Sequence, residues 1–174
     1  NFALAQSHPA TPLRIVKRAL DVKGRAANVY GIESGSGQTG LEMLAGERVM
    51  GNLTNAIDVE SLVHWHGLTP PTAQDGVPML SQAPLQPGES YDYDFPVRRA
   101  GTHWMHSHVG LQEQQLLAAP LIVRETAEPV FDEQEHVVLL HDFTFRDPAE
   151  ILAELKGGGG AHAAHAMDHS QMDH

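Results

Sequence analysis

The sequence predicts an all-β protein, a Greek-key β-sandwich, and three observations carry that expectation. Between residues 13 and 123, short apolar or β-branched runs are separated by Gly, Pro and Asn at fairly regular spacing, as in sandwich folds. Tyr91, Tyr93, Phe95 and Val97 share one parity while Asp92 and Asp94 take the other, the alternation of a half-buried strand. Helical periodicity is confined to one short stretch near the C-terminal end of the sequence.

In chain order, strands are expected at 13–20, 27–32, 57–66, 91–97, 101–108, 119–124 and 136–141, with loops at 34–40 and 68–76. Gln86-Pro87-Gly88-Glu89 is a turn signal just before the clearest strand. A short helix follows at 147–156. Asp147 suits its N-cap and Pro148 its first position, Ile151, Leu152 and Leu155 supply an apolar stripe, and Gly157 ends it. The layout is an N-terminal segment 1–12, a sandwich domain 13–146, the helix, and a tail 157–174. That tail opens as a Gly linker and continues as a His- and Met-rich tract with no means of building a core, so it is expected to be disordered.

The chain has 174 residues, enough for one domain with a sizeable core. Its formal net charge of -11 argues against nucleic acid or an anionic membrane surface as a partner. No apolar run is long enough to span a bilayer. With no cysteine, disulfides, thiolate zinc sites, cysteine nucleophiles and the thiolate of a blue-copper site are all excluded from this chain. Ala3-Leu4-Ala5 has the small-x-small pattern of a signal-peptidase site, which gives the expectation of a periplasmic or secreted protein.

The twelve histidines are clustered rather than scattered, and histidine is the commonest metal ligand among side chains. His64-Trp65-His66 and His106-Ser107-His108 are two His-x-His units. On a strand, residues two apart share a face, so each unit offers two imidazoles side by side. Were the two strands neighbours, four imidazoles would converge on one patch. Nitrogen ligands with no carboxylate between them suit copper or zinc rather than calcium or magnesium. His103 has the opposite parity and is expected outside the cluster. Met43, Met50, Met79 and Met105 are read as packing residues; Gln112, Glu113 and Gln114 follow the second unit closely enough to reach an access channel to the cluster, but are read as a solvated loop.

His64-Trp65-His66-Gly67 and the stretch Gly101-Thr102-His103-Trp104-Met105-His106-Ser107-His108 resemble the first two copper motifs of the multicopper oxidases. Asp75-Gly76-Val77-Pro78 and the Pro84 to Glu89 turn match the connecting segment of that family. Gly110-Leu111-Gln112-Glu113-Gln114, the 136–143 stretch and the tail resemble its bacterial copper-resistance and laccase-like branch. The resemblance implies a cupredoxin-like sandwich, the N-terminal domain of an oxidase. It implies that His64 is a ligand of the type 2 copper, and that His66, His106 and His108 are ligands of the type 3 pair. Asp75 stands where the family keeps an acid implicated in proton supply as O2 is reduced to water, and a carboxylate at hand can relay protons.

Only half of the family's cluster ligands are visible, and its His-Cys-His motif has no counterpart here. The expectation is therefore the N-terminal piece of a larger protein, or one chain of a cleaved one. Its partners would be O2, a reducing substrate such as a phenol or Cu(I), and the remaining cupredoxin domains with their type 1 copper. Two other readings stay open. One is a stand-alone copper-sequestering protein that uses the histidines and the tail. The other is a zinc hydrolase, which lacks the expected third ligand at a matching spacing.

Overall fold

A computed structural model of the protein describes residues 11–126 and 133–157. Eight strands form in order: β1 (Thr11–Val22), β2 (Arg25–Ser34), β3 (Leu41–Leu44), β4 (Arg48–Asn55), β5 (His64–His66), β6 (Ser90–Pro96), β7 (Gly101–His106) and β8 (Ala118–Arg124). They make two four-stranded sheets, ordered β2-β1-β4-β6 and β3-β8-β7-β5. From β2 to β7 the chain changes sheet at every step, so consecutive strands are seldom neighbours. The result is the Greek-key sandwich expected of a cupredoxin-like domain. Two pairings are parallel, β1 with β4 and β3 with β8, and the rest are antiparallel.

Alternation explains how each sheet finds its face. On β6, Tyr93 and Phe95 are buried while Asp92 and Asp94 face outward. The outward acids are met across the sheet, Asp94 by the Arg48 guanidinium at 2.7 Å and Asp92 by the Asn52 amide at 2.7 Å. The core between the sheets holds Leu13, Ile15, Ile32, Leu53, Trp65, Tyr93, Phe95, Met105, Leu117 and Leu121. Its centre is aromatic: the Trp65 ring meets Tyr93 edge-on at 5.0 Å and Phe95 at 5.2 Å, the geometry that ring quadrupoles favour. The β1–β2 hairpin closes through Lys23 and Gly24, both at positive φ, as a two-residue turn matched to strand twist requires.

Several sequence expectations are corrected here. Strands β3 and β4 were not anticipated, because Glu42, Gly51 and Asn52 interrupt their apolar pattern; Gly51 lies in mid-strand, where its Cβ would approach the Thr11 carbonyl at 3.1 Å. The expected strand 57–66 shortens to His64–His66, since Ser61 makes only an isolated bridge to Leu85. Strand β7 ends at His106 rather than 108. The 136–141 run forms no strand; Val138 and Leu140 are exposed, and no strand among the described residues receives them. Met79 is 85% exposed, because its backbone takes a left-handed turn conformation that points away from the core.

A second compact unit begins at Thr144. Within it, α1 spans Pro148–Gly157, and the Asp147 carboxylate accepts the Ala149 N–H at 2.8 Å as the cap. Arg146 pairs with Glu154 through two hydrogen bonds. The N-terminal ten residues and the whole His- and Met-rich tract, with the expectation of disorder there, lie outside the described residues.

Candidate metal centre

Strand β5 lies beside β7 with His64 opposite His106 and His66 opposite Trp104. Alternation then sorts the side chains. Trp65 and Met105, one from each strand, go into the core and are fully buried. The histidines take the other face. Tryptophan between two histidines is thus a local device: its burial forces both imidazoles outward together.

The four rings gather on that face. His64 stands 5.8 Å from His66, 5.5 Å from His106 and 4.5 Å from His108, centroid to centroid. His106 stands 5.3 Å from His66 and 4.8 Å from His108. The ligand nitrogens of His64, His66 and His106 all lie within 4.8 Å of one another. His108 sits beyond the end of β7 and outside that tightest group. His103 has no place in the cluster, as its parity predicts.

Hydrogen bonding selects which nitrogen His64 and His106 offer. The Nδ1 of His64 is 2.7 Å from the Asp75 carbonyl, with an Asp75 carboxylate oxygen at 3.4 Å. A carbonyl can only accept, so Nδ1 carries the proton and Nε2 keeps its lone pair for a metal. The Nδ1 of His106 faces the Ser107 carbonyl at 3.2 Å and a Glu113 carboxylate oxygen at 3.3 Å, with the same outcome. These acceptors hold the rings as outer partners hold metal-binding histidines. The Nε2 of His106 is 3.2 Å from the Nδ1 of His66. Two nitrogens sharing one ion at about 2 Å, at a near-tetrahedral angle, stand roughly this far apart.

Electrostatics favours the ligand form of the rings. Burial holds His106 below its ordinary pKa, opposed by the Glu113 carboxylate and the Ser107 carbonyl. Burial, and then the neighbouring His64, lower His108. Neutral imidazoles are the form that binds metal. The Trp104 indole stacks on His106 at 4.0 Å and 16° and fixes its ring plane.

The structure brings Asp75 to this site as well. It ends the 3₁₀ turn Thr72–Gln74, and the next residue, Gly76, passes so close to β5 that a Cβ there would lie 1.8 Å from the Val63 carbonyl oxygen. Only glycine permits this approach, made at φ +71°. The reading of 112–114 as a solvated loop is corrected for its first two residues. Gln112 is buried and Glu113 reaches His106; only Gln114 is exposed. Ser61 was missed entirely. It is buried and donates to the Gln112 side chain at 2.7 Å. No sequence pattern marks an isolated serine as such, because its partner lies fifty-one residues on.

Comparison with known proteins identifies the family. Residues 16–128 match the family model described as multicopper oxidase. Copper resistance protein A of Pseudomonas syringae pv. tomato is 37% identical over 145 residues, covering 83% of this chain and 24% of the relative. The protein of the same name from Escherichia coli is 35% identical over 145 residues, again 83% of this chain and 24% of the relative. The chain thus spans about a quarter of the length of these curated relatives. Among solved structures, a multi-copper oxidase from Pseudomonas thermotolerans is similar with a TM-score of 0.63 and 32% identity, covering 70% of this chain and 30% of that one. A laccase from B. aclada superposes with a TM-score of 0.69 at 28% identity, covering 83% of this chain and 28% of that one. On its sequence, its sandwich and its histidine face, the chain belongs to the multicopper oxidase family.

Proposed function

We propose that this chain supplies half of the ligands of a trinuclear copper cluster that reduces O2 to water. His64 serves the type 2 ion; His66, His106 and His108 serve the type 3 pair. The observation that carries the reading is the convergence of these four imidazoles, three on one face of β5 and β7 and His108 from the loop that follows β7, with Nδ1 of His64 and of His106 committed to protein acceptors. Copper, when bound, supplies the one-electron chemistry that O2 reduction requires.

The residues of this chain hold and orient. Asp75, with its carbonyl and carboxylate at His64, is the group placed to pass protons toward the site. Reduction of one O2 to two waters consumes four protons and four electrons. The electrons come from a reducing substrate, a phenol or Cu(I), oxidised at a type 1 copper in the remaining cupredoxin domains. Those domains also complete the ligand set on the exposed side of His66 and His108. The setting is the periplasm or the cell exterior.

The test is made at both levels. In the chain, His106→Ala lowers Cu(II) uptake measured by electron paramagnetic resonance, with loss of nitrogen couplings. In the full-length protein, the same change abolishes O2 consumption, and Asp75→Asn slows it by about 10²-fold or more with copper content unchanged. Copper uptake without any O2 consumption by the full-length protein would instead favour a sequestering role. Unchanged uptake by His106→Ala sinks both readings.

A further inference from the structure

Behind the histidines lies a polar network that a hydrophobic core would not contain without reason. Ser61, Ser107 and Gln112 are all buried. The Gln112 Oε1 accepts from the Ser61 hydroxyl at 2.7 Å and from the Ser107 hydroxyl at 2.8 Å. Its Nε2 donates to the Glu60 carbonyl at 2.8 Å. The orientation of the amide follows from chemistry, since a carbonyl can only accept and so must face the NH2 end. The Ser107 hydroxyl in turn accepts the Val109 N–H at 2.9 Å.

The partners stand at telling places. Ser61 lies three residues before His64, and its backbone is bonded both ways to Leu85. Ser107 lies between His106 and His108. Glu113 adjoins Gln112 and reaches His106 Nδ1. His108 has no strand to hold it, because β7 stops at His106. Its loop is fixed instead by Ser107 and Gln112, whose backbone also caps the turn, donating to Val109 and accepting from Leu117.

We propose that Gln112 is the positioning residue of the half-site: one amide sets the His106–His108 loop, and Glu113 with it, at a fixed distance from the strand that carries His64 and His66. This rests on the metal-binding reading above, and it assigns a cause to the site's geometry. Buried networks of this kind rigidify when every member is satisfied. Loss of an outer partner of metal-binding histidines typically costs 10–100-fold in affinity.

Gln112→Met keeps the volume and removes all three hydrogen bonds. Cu(II) affinity of the full 174-residue chain is measured by titration. The contribution of other histidines is subtracted with a His64→Ala/His106→Ala reference. The expected result is a 10–100-fold weakening for Gln112→Met. Ile32→Val, a core change away from the network, leaves the affinity unchanged. Ser107→Ala weakens binding less, and the double variant falls short of the sum because the two share one bond. In the metal-free chain, the ring resonances of His106 and His108 shift and broaden in Gln112→Met while that of His103 stays.

Native affinity together with unmoved ring resonances in Gln112→Met overturns the proposal while leaving the copper reading intact. If that variant does not fold, Ser107→Ala decides by the same two readouts. Failure of the unaltered chain to take up Cu(II) overturns the copper reading instead, and the metal-free resonances then judge the positioning role alone.

Discussion

His106 gathers more of the site's contacts than any other residue. It faces two acceptors through Nδ1, a second imidazole through Nε2, and an indole across its ring. That crowding has a measurable cost in acid. Burial depresses the folded-state affinity of His106 and His108 for protons. The unfolded chain therefore binds protons more readily near the ordinary histidine pKa of about 6.5. Stability is complete above that value and is lost as pH falls through it toward the lower folded values. Urea unfolding of the metal-free chain at pH 7.5 and at pH 5.5 is expected to show this loss, and His108→Ala to reduce it. The same protonation competes with copper, so uptake weakens over the same interval. At this scale the sequence was highly informative for the histidines and Asp75, whose spacing within each motif is local. It was silent on Ser61 and left Gln112 between a solvated loop and a place near the cluster, because their contact joins segments distant along the chain.

At the scale of elements, β5 is only three residues long, yet it carries two of the four imidazoles. It keeps its place through Trp65 in the core, three antiparallel pairings to β7, and the Asp75–Gly76 turn that runs across the Val63 carbonyl. Gly76→Ala cannot be accommodated without moving that turn. The expected cost is about 2–4 kcal/mol of stability, read from denaturant unfolding, together with release of the Asp75 contact to His64. Among the strands, those with clean alternation or dense β-branched residues were legible in advance, as β1, β2, β6 and β8 were. Strands β3 and β4 were not, since their pairing with β8, β1 and β6 defines them more than their own composition does. The converse error came at 136–141, where composition favours a strand but no partner is present among the described residues.

For the molecule as a whole, that run without a strand partner among the described residues leaves apolar side chains uncovered. Val138 is 74% exposed and Leu140 87% exposed in a chain whose net charge of -11 otherwise keeps molecules apart. Leu140→Lys is expected to reduce self-association of the chain, seen by light scattering, with a change in stability below about 0.5 kcal/mol. The fold class followed from the sequence because a sandwich imprints its period on every strand, and the domain's identity followed from motifs that lie on two of them. Two tryptophans complete the chain, and they sit on opposite faces of the same pair of strands: Trp65 deep in the aromatic core, Trp104 lying flat on His106. The protein therefore carries an optical gauge of its own centre. A paramagnetic Cu(II) ion arriving beside His106 should darken the Trp104 emission, leaving the longer-range contribution of Trp65, so ordinary fluorescence can report filling of the site without any label. Trp104→Phe should abolish most of that response while leaving the ion bound.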